Sequence, residues 1–423
     1  MKFLSACRGL FKGRLPGQAV IQVTTRCNAR CAQCGMSADH RFDRHSLDPD
    51  VVDRILETVA KLGMQAVSFT GGEPLLDFPR LTAMIRKARS LGIPYIRTGT
   101  NGFIFQRHEA QDFRDRMRRT AEELLESGIR NFWISLDSSD PVIHEANRGL
   151  PGVVRGIEKA LPVFHGSGLF PSVNLGINRL CGGRIPALDG PFEPQAFRQG
   201  FTEAFTRFFS FATELGFTIA NCCYPMSDEE QAVYGATSSD PFIRFSADEK
   251  RAMLLALKDA VTEFRPRIRL FTPLSSLDAL IVQADGLAGR TYACRGGRDY
   301  FFVDASKGHA YPCGYRSGED LGPFWELREL PGPGQACRRC DWECFRDPSE
   351  LLGPFGAALT NPLEVFRNFA SRRDVFESWL TDLRYYLACD TFDGTRPMRP
   401  EKLARFTRRP DGIEVRAVDG LAA

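Results

Sequence analysis

Six short β-rich runs, each separated from the next by a stretch with helical periodicity, constrain this chain more than any other feature. They lie at 19–23, 66–70, 94–98, 131–136, 172–177 and 217–220. Between the first two, apolar residues recur at 51, 52, 55, 56 and 59, which is one face of an α-helix. Similar patterns occupy 81–91 and 116–126, the second closed by Ser127-Gly128. Strands alternating with helices predict a parallel α/β sheet with right-handed crossovers. Six units are fewer than the eight of a closed barrel, so a partial, laterally open (β/α)6 barrel is expected, with ligands at the C-terminal ends of its strands.

The chain of 423 residues is too long for one compact core. Its 43% hydrophobic and 25% charged residues are those of an ordinary globular protein. A net charge of +3 gives no strong case for nucleic acid as a partner. No run approaches the roughly 20 apolar residues that span a bilayer, and Arg8 interrupts an N-terminal apolar run too short for a signal peptide. A cytoplasmic protein without a membrane partner is therefore expected. The thirteen cysteines fall in clusters, which in such a chain points to metal and not to disulfides.

Directly after the first run, Cys27, Cys31 and Cys34 have C-x3-C-x2-C spacing. Three such thiolates can hold three corners of a [4Fe-4S] cube and leave the fourth iron without a protein ligand. An open iron implies a small-molecule ligand; reduced loop cysteines or part of a zinc site are the competing readings. Past the second run stands Thr70-Gly71-Gly72-Glu73-Pro74. Its glycines admit close backbone approach to a ligand, and Glu73 can accept from an ammonium group. Alone, this stretch also reads as a strand-to-helix turn. Gly99-Thr100-Asn101-Gly102 and Ser135-Leu136-Asp137-Ser138 follow the third and fourth runs, where such residues also serve as turn caps.

Together these segments resemble the radical SAM superfamily over roughly the first 225 residues. The resemblance implies that Cys27, Cys31 and Cys34 hold a [4Fe-4S] cluster whose open iron binds S-adenosylmethionine (SAM). It implies that Gly71, Gly72 and Glu73 bind the methionine amino group, and that Thr100 and Ser135 contact the carboxylate or ribose with Asp137 in support. Reductive cleavage of SAM to a 5′-deoxyadenosyl radical, which abstracts hydrogen from a substrate, follows as the implied chemistry. A reducing partner such as flavodoxin or ferredoxin is implied with it. His144 to Gly149 also resembles a family segment, without an assigned role. One position departs from the family: the residue before the third cysteine, usually aromatic, is Gln33, so adenine packing is expected to fall to Met36 or Phe42.

A second group comprises Cys294, Cys313, Cys337, Cys340 and Cys344. The Gly308-x4-Cys313 spacing after an upstream cysteine, followed by C-x2-C, resembles the auxiliary-cluster extensions called SPASM and twitch domains. Five cysteines, with Cys389 as a distant sixth, imply one second [4Fe-4S] cluster. Four saturate a cube, which leaves the fifth as a spare, a substrate ligand or a catalytic thiol. Structural zinc is the competing occupant. Of Cys222 and Cys223, at most one faces a site, because neighbouring strand residues point to opposite faces.

The expected organisation is an N-terminal arm (1–17), the partial barrel (18–225), a mostly helical connector (226–290), the cysteine-rich twitch/SPASM-like domain (291–348), C-terminal helices (349–390) and a loose basic tail (391–423). The Gly- and Pro-rich segment 181–200 reads as a loop insertion over the barrel mouth. The expected function is a radical SAM enzyme acting on a peptide or small metabolite, with the second cluster assisting a net oxidation or bond formation. No catalytic residue is nameable. A non-catalytic iron–sulfur electron carrier is the alternative. Among family members, the end Gly420-Leu421-Ala422-Ala423 counts against a molybdopterin-precursor synthase, which usually ends in Gly-Gly.

Overall fold

The computed structural model describes residues 15–34, 44–225, 241–287, 291–316, 318–328, 337, 342–360 and 362–407. Seven strands run parallel through the first two thirds of the chain: β1 (Gln18–Thr24), β2 (Ala66–Gly71), β3 (Tyr95–Thr100), β4 (Asn131–Ser135), β5 (Ser172–Gly176), β6 (Ile219–Cys223) and β7 (Arg269–Leu270). Between them lie α1 (Pro49–Lys61), α2 (Phe78–Ser90), α3 (Phe113–Ser127), α4 (Pro141–Arg148), α5 (Val153–Gly166), α6 (Pro194–Leu215) and α7 (Ala247–Phe264). After β7 come α8 (Leu274–Ala284), β8 (Tyr300–Val303), β9 (Ala310–Tyr311), α9 (Glu343–Thr360), α10 (Pro362–Ser371) and α11 (Arg373–Cys389).

Local chemistry sets the helix ends. Asp48 caps α1 by accepting from the Asp50 N–H, and Pro49 supplies the fixed φ of the first turn. Val52, Ile55, Leu56 and Val59 then form the apolar stripe that α1 buries. In α6, Phe197, Phe201, Phe205 and Phe209 recur every four residues and stack down one buried face onto Phe264 of α7. Each such side chain stabilises the fold by about 1.5–3 kcal/mol through burial.

The sheet order is β7-β6-β5-β4-β3-β2-β1-β8-β9, all parallel except β9, which runs antiparallel to β8. β7 and β1 do not pair, so the sheet stays open as expected, though with nine strands and not six. Strand alternation divides the residues by face. Val67, Phe69, Ile96, Phe132, Ile134, Val173 and Leu175 belong to the apolar core. Ser68, Arg97, Asn131, Trp133, Asn174 and Cys223 line a central cavity.

Three expectations change. The connector and the cysteine-rich extension do not stand outside the sheet, since β7 and β8 extend it at opposite edges. Two-residue β7 is too short to leave a periodic signal. The segment 181–200 is not a lid. Pro194 with the Glu193 cap opens α6 inside it, and two of its glycines serve packing: a Cβ would sit 2.3 Å from Ala204 Cα at Gly182 and 2.9 Å from the Leu188 side chain at Gly200. Residues 391–407 are not loose either. Phe392 packs on Phe271 at 4.2 Å, Gly394 exchanges backbone hydrogen bonds with Arg130 and Phe170, and Arg396 and Arg399 pair with Asp390. The rest of the tail lies outside the described residues.

Asp382 of α11 fastens this C-terminal region to the barrel. Fully buried, it accepts from the Leu274 and Ser275 N–H groups at 3.0 and 2.8 Å, from Ser275 Oγ at 2.7 Å and from buried Arg265. It therefore caps α8 and neutralises an interior guanidinium. Asp382→Ala leaves that cation unpaired, and urea unfolding is expected to show a loss of about 3–5 kcal/mol. A loss below about 1 kcal/mol would contradict this anchoring role.

Candidate active site

The loop after β1 is held by backbone. The Thr24 carbonyl accepts from Gly72 N–H and the Arg26 carbonyl from Glu73 N–H, both at 2.8 Å. A Cβ at Gly71 (φ +146°) would lie 2.2 Å from Thr24 O, and one at Gly72 would lie 2.1 Å from Arg26 O. The two glycines thus make room for the cysteine loop itself, and both also line the cavity.

Glu73 is 1% exposed. Its carboxylate accepts from Leu75 N–H at 3.0 Å and Asn101 N–H at 2.6 Å. Burial nevertheless pushes its pKa up to about 7. Asn101 in turn donates its side-chain amide to Asn28 Oδ1 at 2.9 Å and approaches Cys27 Sγ at 3.6 Å. The Thr100 hydroxyl accepts from Gly102 N–H. Burial raises the Cys27 thiol and pushes Cys31 up to about 12, so loading a metal here must displace protons.

Asp137 organises the opposite wall. Arg148 grips it with two bonds of 2.8 and 2.7 Å, and Gln33 and Asn147 donate to it at 2.9 and 3.1 Å. Asn147 also donates to Gln33 Oε1, while Arg148 O receives Arg30 N–H. Burial alone would raise the Asp137 carboxyl, but the Arg148 guanidinium holds it below the usual aspartate range. His144, pushed down to about 4 by burial, is neutral and accepts Asp137 N–H through Nδ1. These contacts give the His144–Arg148 segment its role. They also explain Gln33, whose amide donates to Asp137 and accepts from Asn147 of α4, tying the cysteine loop to both where an aromatic ring could not. The proposed substitutes Met36 and Phe42 lie outside the described residues.

Cys27, Cys31, Cys34, Gly71, Gly72, Glu73, Thr100, Ser135 and Asp137 all line one cavity of about 270 Å³. Sequence reading missed Asn101 and Arg148 as parts of it; only their positions in recognised turns hinted at them. Cys223 faces the cavity while Cys222 is fully buried, as alternation requires. Of the later cysteines, Cys344 lines the same cavity, with Gln18 donating to its carbonyl. Cys294 pairs its N–H with Cys337 O at 2.8 Å, and Cys294, Cys313 and Cys344 border an aromatic cluster around Tyr300 and Trp342. Cys340 lies outside the described residues.

The donor set suits iron–sulfur ligation. Cys27, Cys294 and Cys313 each accept, at Sγ, the N–H two residues onward (Ala29, Gly296 and Tyr315, at 3.3–3.4 Å), a bond that stabilises negative sulfur. Among the described residues, no three His, Cys, Asp or Glu side chains are grouped to bind a single ion. A cube asks for something different, because each thiolate meets its own iron.

Residues 21–177 match the radical SAM superfamily profile. The chain carries a radical SAM domain. The chain is 31% identical over 161 residues to a probable GTP 3′,8-cyclase of Pyrococcus abyssi, covering 37% of this chain and 48% of that protein. An AdoMet-dependent heme synthase of Methanosarcina barkeri is 21% identical over 346 residues, 79% of this chain and 86% of that one. The chain spans about half the length of the cyclases it matches. The fold is similar to that of polyhistidine-tagged anSMEcpe with bound AdoMet (TM-score 0.51, 15% identity, 86% of this chain and 99% of that chain). Among the described residues no helix is long and apolar enough to cross a membrane.

The Asp137 network gives a pH-dependent prediction. A carboxyl whose folded pKa is depressed stabilises the fold above its unfolded value of about 3.9 and loses that contribution as pH falls through the folded value. Asp137→Asn is therefore expected to be less stable than wild type at pH 7, with the gap closing in acid. Urea unfolding at several pH values checks it; a gap that persists unchanged below about pH 3 would count against it.

Proposed function

We propose that this protein is a radical SAM enzyme that reductively cleaves SAM and abstracts hydrogen from a peptide or small-metabolite substrate, in a net oxidation or bond formation. The observation that carries this reading is the meeting, on one cavity, of the Cys27/Cys31/Cys34 thiols, Glu73 and, across from them, Cys344. When bound, the clusters and SAM supply one-electron chemistry: reductive cleavage at the first site and an electron sink at the second. In this reading Cys27, Cys31 and Cys34 hold three irons. Gly71, Gly72 and Glu73 receive the ammonium of SAM, Thr100 and Ser135 meet its carboxylate or ribose, and Asp137 keeps the wall in register through Arg148.

Four of Cys294, Cys313, Cys337, Cys340 and Cys344 hold a second [4Fe-4S] cluster in this proposal. The N–H bonds to Cys294 and Cys313 support it, because they match the one at Cys27. Structural zinc remains the competing occupant, and metal analysis separates the two. A flavodoxin or ferredoxin as reductant and a cytoplasmic location complete the reading, since reduced thiols need a reducing compartment. The relatives' names, a GTP cyclase and a heme synthase, support a small-molecule substrate.

Anaerobically reconstituted protein is expected to hold about eight irons, and the triple change of Cys27, Cys31 and Cys34 to Ala about four. Four irons plus zinc in the wild type would remove the second cluster and leave the first. Dithionite-reduced protein should form 5′-deoxyadenosine slowly without substrate. Its complete absence from cluster-replete protein would leave the electron-carrier reading in place.

Glu73 adds a pH signature. Its carboxyl, pushed up to about 7 by burial, must ionise to receive an ammonium, so SAM binding releases a proton below that pH. Affinity for SAM should weaken by about tenfold per unit as pH falls below 7, and Glu73→Gln should flatten the profile. A wild-type profile already flat between pH 5 and 8 would exclude this role.

A further inference from the structure

The end of the cavity bordered by Arg97 and Asn131 carries buried donors that are incompletely paired. Arg97 lies on β3 three residues before Thr100, about 10 Å along the strand at ~3.3 Å per residue. Its guanidinium borders the cavity, and among the described residues its one hydrogen bond is to Cys344 Sγ at 3.4 Å. No described carboxylate is within ion-pair distance; Glu343, which also borders this end, has the Cys344 thiol donating to its Oε1 at 3.5 Å.

Asn131 is the residue paired with Arg97 across β3 and β4. It is 3% exposed, and its Oδ1 accepts from Ser172 Oγ at 3.2 Å. Its Nδ2 is buried with no partner, although the side chain borders the cavity. A buried donor left unmade is costly, so an empty Nδ2 beside a guanidinium with no carboxylate partner among the described residues marks a place for an acceptor. Trp133 supplies the floor: its indole lies across Gly99, where a Cβ would meet the ring at 2.2 Å, and it sits 5.9 Å from the Arg97 guanidinium.

We infer that Arg97 and Asn131 form a subsite for a carboxylate of the substrate, with the flat apolar part of the same molecule resting on Trp133. Guanidinium and carboxylate match as a planar fork, which a compact ammonium would not. The inference rests on the proposed use of this cavity for substrate and narrows the substrate to carboxylate-bearing molecules. Set between the triad end and Arg97, such a substrate is anchored at one end and presents its other end to the SAM site.

Equilibrium dialysis of radiolabelled benzoate, with its neutral isostere benzamide as control, tests the subsite on the reconstituted full-length protein. Wild type should retain benzoate over benzamide by about tenfold or more, saturating SAM should leave this unchanged, and inorganic phosphate should not displace benzoate. Arg97→Gln should abolish the preference, and Arg97→Lys should keep part of it. Equal retention of the two probes by wild type, a comparison that needs no variant, would overturn the subsite. Loss of benzoate on adding SAM would instead assign Arg97 to SAM. Unchanged benzoate binding in Arg97→Gln, with an altered second-cluster EPR signal, would assign it to Cys344. Dialysis reads neither SAM cleavage nor product, so absent 5′-deoxyadenosine would refute the enzyme reading without touching this result.

Discussion

The seam where the loop after β1 meets the end of β2 governs the rest of the site. Two hydrogen bonds, Gly72 N–H to Thr24 O and Glu73 N–H to Arg26 O, bring backbone against backbone at a separation no Cβ tolerates. The start of the cysteine loop is thereby fixed to the residue that follows the glycines. Glu73 then passes the constraint to β3 through Asn101, whose side chain returns to Asn28 and Cys27. Three successive strand ends are thereby cross-braced, with the buried Glu73 carboxylate as the link between the second and third.

Asp137 and Arg148 brace the other side of the loop. Both groups are buried, and an ion pair of this kind contributes little net stability compared with apolar side chains of equal volume. What it contributes is direction. A carboxylate with both oxygens engaged accepts Arg148, Gln33 and Asn147 in one arrangement only, and that arrangement sets the cysteine loop against α4. Neutral His144 completes it by taking the Asp137 N–H, which a protonated imidazole could not do.

The parallel sheet was readable because each strand buries an apolar face under a helix whose own stripe is strong, as in α1 and its Val52, Ile55, Leu56 and Val59. β7 was not, since two residues have no period. The candidate residues with motif spacing, Cys27 to Cys34 and Gly71 to Glu73, stood out because their chemistry is local in sequence. Arg148, Asn101 and Arg97 did not, because their meaning lies in partners on other strands. The basic tail misled for a related reason. Arg396 and Arg399 read as solvated charge until Asp390 is brought against them by Phe392 packing on Phe271 and Tyr386.

The two cysteine groups are separated by more than two hundred residues of chain yet share one strand. β1 carries the triad just past its C-terminal end, and along its outer edge it pairs with β8 from Gln18↔Tyr300 to Ile21↔Val303. β8 brings in the aromatic cluster that Cys294, Cys313 and Cys344 border, and Val20 of β1 is itself a member of that cluster. The spacing between the groups is therefore set by the length of a hydrogen-bonded strand and not by a flexible linker. A strand paired on both sides is among the stiffest elements a fold offers. The distance from the triad to Cys344 is thus held by the same strand that the Gly71-Gly72 seam holds in place.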